Sequence, residues 1–277
     1  MTLTPVFVPR HLHGLAHGPE LVRVIGAVTQ AGNGLMDFWS DRAALTVQQK
    51  RAGDFVSVAD KRTEDLLRDS LCQQGDGWLG EETARARTLD TARRIWIVDP
   101  LDGTTNFLRG IGHWAVSVAL QVGGVRVLGV VHDPVRQETF FALRGAGAYL
   151  NGAGIQGAST PRLQDALFGT GIPFGGMAGI DDHAADIARL MPHCAGVRRM
   201  GAAALDLAYL ACGRLDGFWE RRLQPWDIAG GLVLLHEAGV RIEGLDPAER
   251  PEETGTVLAA TPQLFDPFAR ILRNTGA

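Results

Sequence analysis

The sequence predicts an α/β fold of the α+β kind, with an antiparallel sheet in its first half and alternating strands and helices in its second. Three observations carry that reading. Ala115 to Val122 and Val125 to Val131 are apolar, β-branched runs joined by Gly123-Gly124, a strong hairpin signal. Glu138 to Leu143 follows as another strand after a short link, and successive strands on short links pair antiparallel. After about Asn151, short apolar runs alternate with helical stretches, the pattern of a layered α/β unit.

At 277 residues the chain is long enough to bury a large core. It shows no internal repeat and no long linker, so one domain of two lobes, 1–150 and 151–277, is expected. A composition 45% hydrophobic and 21% charged is that of an ordinary globular protein. A net charge of −4 gives no global pull toward nucleic acid or an anionic membrane. Cys72, Cys194 and Cys212 are odd in number and widely spaced, which suits a reducing compartment and fits no zinc pattern. No apolar run reaches membrane-spanning length and the N-terminus lacks a signal-peptide core. A cytoplasmic location is expected, with neither nucleic acid nor membrane as a partner.

Residues 1–18 carry prolines and His11, His13 and His17 without periodicity, and read as a loose terminal segment. From Pro19 to about Trp39, the spacing of Leu21, Val24, Ile25 and Val28 predicts an amphipathic helix, weakened at its far end by Gly32 and Gly34. Phe55 to Val58 is strand-like, and Asp60 is placed to cap a helix over Lys61 to Leu71. Asp54, at the other end of that strand, has no such local duty. Glu81 and Glu82 follow a glycine; adjacent acids there are ordinarily solvated, but one could turn inward.

In the second half, Leu167 to Thr170 and Gly217 to Glu220 read as strands, and Asp182 to Leu190 and Ala202 to Gly213 as helices. Trp226 to Ala238 is apolar on several faces and predicts a buried helix stopped by Gly239. Asp227 lies in its first turn, where an acid suits the helix dipole, and that alone could explain it. Val240 to Glu243 and Thr256 to Ala260 are further strands, and Pro262 begins a last helix.

The stretch with most chemical content is Ile95 to Asn106, IWIVDPLDGTTN. Its apolar run suits a buried strand. Pro100 has no N–H to donate, so the ladder is expected to stop there. Asp99 and Asp102 flank a tight turn and can point at one spot, where two like charges need a cation or a proton. Thr104, Thr105 and Asn106 then offer hydroxyls, an amide and the free N–H groups of a helix start, a natural seat for phosphate. Carboxylates for a hard metal beside donors for an anion suggest metal-assisted phosphate chemistry. Turns of this composition are also common with no chemical role. No serine, cysteine or histidine is visibly placed as a nucleophile, and His132 and His236 lie in apolar runs, as core or rim histidines do.

Four motifs in order resemble the inositol monophosphatase family of magnesium-dependent, lithium-sensitive phosphomonoesterases. They are Asp54 to Asp60 (DFVSVAD), Gly80-Glu81-Glu82, Trp96 to Phe107 (WIVDPLDGTTNF) and Pro225 to Gly230 (PWDIAG). Ser57 departs from the family's usual threonine but keeps a hydroxyl, and the first 18 or so residues lie outside the resemblance. The resemblance implies a layered αβαβα sandwich, mixed in its second sheet, with the site between two lobes, and a homodimer. It implies two to three Mg²⁺: one on Glu81, Asp99 and the Leu101 carbonyl, a second on Asp99, Asp102 and Asp227, and a weaker third near Glu81. It implies that Asp54 and Thr104 pair, that Glu81 and Thr104 orient the attacking water, and that Gly103 and Thr104 amides receive phosphate. Glu220 and Ala203 would contact the substrate.

The substrate would be a small phosphate monoester, inositol monophosphate or a similar polyol phosphate. Histidinol phosphate is the alternative, since one motif set serves both and Glu220 could receive that substrate's cation. A nucleotide 3′-phosphatase stands third. A regulatory binding protein on the same fold is the reading from a different class, and the intact ligand set argues against a role without catalysis.

Overall fold

Two adjacent glycines in left-handed conformation, Gly123 (φ 57°) and Gly124 (φ 81°), close the central hairpin of the molecule. That geometry matches the twist of the flanking strands and is open to glycine at no steric cost. The structure is a computed structural model that describes residues 6–41, 47–51, 54–83, 92–172 and 179–274. For 47–51 and 54–57 it describes the backbone alone.

The chain opens with α1 (Arg10–His13) and α2 (Gly18–Ser40), a hairpin of β1 (Val47–Arg51) and β2 (Asp54–Ser57), and α3 (Val58–Leu71). Then come β3 (Gly77–Gly80), β4 (Arg94–Asp102), α4 (Thr104–Arg109), β5 (Ala115–Val122), β6 (Val125–Asp133), β7 (Glu138–Leu143), β8 (Ala148–Leu150) and β9 (Ala153–Ile155). The last third holds β10 (Leu167–Thr170), α5 (Ile180–Leu190), β11 (Gly196–Arg198), α6 (Ala203–Ala211), β12 (Gly217–Glu220) and α7 (Pro225–Glu237). It ends with β13 (Arg241–Glu243), α8 (Pro251–Thr254), β14 (Val257–Ala260) and α9 (Pro262–Leu272).

Strands β3 to β9 form a seven-stranded sheet in sequence order, and a five-stranded sheet runs β11-β10-β12-β14-β13. Helices α2 and α3 cover the outer face of the first sheet, α6 and α7 lie between the sheets, and α9, with α5 packed on it, covers the outer face of the second. This is the layered αβαβα arrangement. The first sheet is not purely antiparallel, as expected, but mixed: β3 runs parallel to β4. Residues 84–91, between these two strands in sequence, lie outside the described set. The second sheet is mixed as expected, with β10 parallel to both β11 and β12 and the rest antiparallel.

Three local expectations are corrected. Pro100 does not end β4, which continues to Asp102. The register slips between Asp99, opposite Ser117, and Asp102, opposite Ala115, so the missing N–H falls in an irregularity of the ladder rather than in a regular pair. Gly32 and Gly34 do not fray α2. A Cβ on Gly32 would lie 2.7 Å from the His132 ring, so the glycine permits close packing of helix on sheet. The described part of the N-terminal segment, from residue 6, is not loose: Leu12 is fully buried, and His11 Nε2 lies 3.1 Å from the Tyr149 hydroxyl.

The feature that places the site is the seating of α7 on β4, β5, β6 and β7, although it lies in the second half of the sequence. A Cβ on Gly129 would lie 2.4 Å from the Gly230 carbonyl oxygen, and one on Gly230 would lie 2.8 Å from Ser117 Oγ. Only glycines let helix and sheet approach so closely. Asp227, in the first turn of α7, is thereby carried toward Asp99 at the end of β4.

Candidate active site

Four carboxylates from three parts of the chain act on one another. Asp99, 2% exposed, is pushed well above the usual carboxylate range first by burial, then by the charges of Glu81, Asp102 and Asp227. Asp102 is pushed up to about 7, again first by burial and then, against a bond from the Ala204 amide, by Asp206 and Glu81. No cation is among the groups that shift Asp99 most. Buried acids that repel one another invite a proton or a metal ion.

Backbone N–H groups hold these acids in the meantime. The Leu101 amide donates to Asp99 Oδ1 at 3.0 Å, the Ala204 amide to Asp102 Oδ2 at 2.8 Å and the Gln224 amide to Asp227 Oδ2 at 2.7 Å. The last is half of a capping box at the start of α7, so the helix-start role of Asp227 is real. Among the described residues no three His, Cys, Asp or Glu side chains already stand in ligating geometry. The donor set is nonetheless all oxygen and hard, which fits Mg²⁺ or Ca²⁺ and not a soft metal.

Glu81 is the inward member of its acidic pair, since its charge acts on Asp99 and Asp102. Its amide donates to the Val98 carbonyl at 3.1 Å, and the Glu82 amide is taken by Glu64. Gly103, in left-handed conformation at φ 88°, turns the chain from β4 into α4. A Cβ there would lie 3.1 Å from the Cβ of Ala202, so Ala203, the first residue of α6, stands close to this turn. Asn106 Nδ2 donates to the carbonyls of His113 at 2.7 Å and Met200 at 2.8 Å, tying α4 to the chain on either side of the cleft.

Thr104 Oγ1 lies 3.3 Å from Asp60 Oδ1 and 3.0 Å from the Leu101 carbonyl oxygen, so one hydroxyl hydrogen serves two acceptors. Thr104 thus meets Asp60, and this contact does not decide the pairing of Thr104 with Asp54 that the resemblance implies. The Asp54 side chain lies outside the described residues. Asp60 does not cap a helix at Lys61 either, because α3 begins at Val58 and leaves Asp60 fully buried inside its first turn. A signal was present in the sequence. Asp60, Glu64, Leu67 and Leu71 fall on one buried stripe of α3, and an acid on a core-facing stripe needs a partner.

Glu220, at the end of β12, has its carboxyl raised well above the usual range by burial first, then by Asp206, Asp227 and Asp102; Arg199 opposes this. It borders the same acidic centre. A Cβ on Gly171 would lie 1.9 Å from Glu220 Oε1, so the neighbouring strand end must be glycine for this side chain to lie where it does. Two residues that the sequence did not single out complete the surroundings. His113 Nε2 lies 2.9 Å from Asp206 Oδ1, both buried, and this pair bridges the segment before β5 to α6.

Fold and site together define a layered α/β protein with an acidic centre where its two sheets meet, and comparison with known proteins gives the class. The chain belongs to the inositol monophosphatase family, whose profile matches residues 20–276, and is a phosphoric monoester hydrolase. It is 40% identical over 261 residues to inositol-1-monophosphatase of Rhizobium meliloti (strain 1021), covering 94% of this chain and 98% of that one. It is 37% identical over 257 residues to the Nus factor SuhB of Salmonella typhimurium (strain LT2), covering 92% and 96%. The crystal structure of the extragenic suppressor protein SuhB from Bartonella henselae superposes with a TM-score of 0.87 at 34% identity, covering 92% of this chain and 98% of that one.

Proposed function

We propose that the protein hydrolyses a small phosphate monoester, inositol monophosphate or a similar polyol phosphate, with Mg²⁺ as its cofactor. The observation that carries this reading is the convergence of the charges of Glu81, Asp102 and Asp227 on Asp99, with Asp99 and Asp102 buried, beside the Thr104–Asp60 pair. The first metal position would use Glu81, Asp99 and the Leu101 carbonyl. The second would use Asp99, Asp102 and Asp227, and a weaker third would lie near Glu81. Bound there, the ions supply charge neutralisation and a water of lowered pKa.

The chain's own residues do the rest. Glu81 and the Thr104 hydroxyl, steered by Asp60, orient the water that attacks phosphorus. The amides of Gly103 and Thr104, at the start of a helix with unsatisfied N–H groups, receive phosphate oxygens. The bond from phosphorus to the ester oxygen breaks in line, and free phosphate and the alcohol leave with no phospho-enzyme. Glu220 accepts a substrate hydroxyl, or pairs with the cation of histidinol phosphate, and Ala203 lines the same region. A homodimer working in the cytoplasm is part of this reading. Among the described residues no helix is long and apolar enough to cross a membrane.

The test is phosphate release from inositol 1-phosphate and histidinol phosphate side by side, with Mg²⁺, with Mg²⁺ plus Li⁺, and in EDTA. Turnover of the inositol phosphate with Mg²⁺, inhibition by Li⁺ and none in EDTA is expected. Full turnover in EDTA removes the metal mechanism, and preference for histidinol phosphate reassigns the substrate. Light scattering checks the dimer; a mass near one chain, 29.7 kDa, contradicts it. The likeness to proteins named Nus factor SuhB supports a second reading, a regulatory binding role beside catalysis.

A further inference from the structure

Glu64 is the one buried acid of α3 for which the proposed chemistry has no use. It is 1% exposed, yet its carboxylate is saturated with donors. Trp78 Nε1 donates to Oε1 at 3.2 Å, the Thr83 hydroxyl to Oε1 at 2.5 Å and the Glu82 amide to Oε2 at 2.8 Å. The carboxylate also lies against Gly80, where a Cβ would come within 2.2 Å of Oε1. All four contacts are with β3 and the turn after it, the segment that carries Glu81. Among the described residues no arginine, lysine or histidine forms an ion pair with Glu64.

The turn is thus held from two sides. The Glu81 amide is fixed to β4 through Val98, one residue before Asp99. The next amide, of Glu82, is fixed to α3 through Glu64. Between those anchors the Glu81 side chain has little freedom of direction. On the same helix, four residues earlier, Asp60 accepts from Thr104. Positions i and i+4 lie on one face of a helix, one turn apart. One rigid helix therefore holds Glu81 through its loop and Thr104 through its hydroxyl.

We propose that Glu64 is a positioning residue for the metal and water site: by holding the Gly80–Thr83 turn it fixes Glu81 as a ligand, and with Asp60 it makes α3 the spacer between Glu81 and Thr104. This rests on the reading of Glu81 as a metal ligand. Partners behind a metal ligand set its orientation, and their loss commonly weakens metal binding by roughly ten- to a hundredfold.

The experiment titrates Mn²⁺ into metal-free wild-type protein and Glu64→Gln, by calorimetry and by the loss of the free-ion paramagnetic resonance signal, without substrate. Glutamine keeps the shape but replaces one acceptor oxygen by a donor, which would face an N–H or O–H that needs an acceptor. Binding weaker by roughly tenfold or more is expected. In turnover, the Mg²⁺ concentration for half-activity should rise by a similar factor while the substrate KM at saturating Mg²⁺ stays within about twofold, as expected when only metal binding is impaired. A purely structural role predicts a lower Tm with unchanged Mn²⁺ affinity, and that result overturns the proposal. Should Glu64→Gln fail to fold, Thr83→Val removes one donor and leaves the carboxylate in place. A smaller weakening in the same direction supports the proposal, and unchanged affinity overturns it. Wild-type protein that binds no Mn²⁺ overturns the metal reading itself, whereas tight binding by both proteins overturns only the role of Glu64.

Discussion

The backbone amide of Ala204 donates to Oδ2 of Asp102 at 2.8 Å, across 102 residues of sequence. Asp102 thus ends the strand β4 and caps the start of α6 from outside that helix. One oxygen joins the halves of the molecule while the carboxylate as a whole belongs to the acidic centre. That double duty separates two substitutions. Asp102→Asn can keep an acceptor for the amide and lose the charge. Folding should be retained while activity falls by orders of magnitude. Asp102→Ala loses both, leaves a buried N–H unpaired at about 1–3 kcal/mol, and should lower Tm as well. Equal Tm values for the two variants would show that the amide bond contributes nothing.

Asp227 also has two duties, one visible in the capping box with Gln224 and one in the proposed second metal position. Asp227→Asn retains capping ability and loses only the dipole contribution of about 0.3–1 kcal/mol. Metal-free Tm should therefore hold or rise, because one member of a repelling cluster is gone, whereas turnover falls by orders of magnitude. Near-normal turnover at saturating Mg²⁺ would sink the second position.

Proton and metal should compete. Asp99, Asp102 and Glu220 have folded-state pKa values raised above their ordinary ones, Asp102 to about 7, by burial and then by neighbouring charges. Such groups bind protons more tightly when folded, so their contribution to stability is full below about pH 4 and is lost as pH rises, for Asp102 through about 7. His132 runs the other way. Burial lowers its pKa to about 4, so its contribution is present above about pH 6.5 and lost as pH falls through 4. Mg²⁺ relieves only the carboxylates. The Mg²⁺-induced rise in Tm should be larger at pH 8 than at pH 6; equal rises at both would contradict the carboxylates as its binding site.

Asn106 is a stability prediction without metal. Its amide nitrogen serves two carbonyls, those of His113 and Met200, and is 6% exposed. Asn106→Ala leaves both acceptors unpaired in a water-poor site, at about 1–3 kcal/mol. At about 2–4 °C per kcal/mol for a chain of this size, melting should fall by several degrees. An unchanged Tm would mean that water replaces the amide.

The sequence alone determined the elements whose signals are local. The Gly123-Gly124 hairpin, β7 at Glu138–Leu143, β10 at Leu167–Thr170 and β12 at Gly217–Glu220 were legible because strand patterns and left-handed turns depend on neighbours in the chain. The motif around Asp99 and Asp102 was legible for the same reason. Tertiary structure decided what lies across the fold. Whether Pro100 ends a strand depends on where the register of β5 slips beside it, and whether Gly32 breaks α2 depends on the His132 ring packed against it. Asp60 looked like a helix cap because capping is a local signal; only the placing of α3 behind α4 shows it facing Thr104, 44 residues further on. The same holds for Glu64 beneath the Glu81 turn. A buried acid takes its meaning from its hydrogen-bond partners, and those are brought to it by packing between distant segments, which no short window of sequence records.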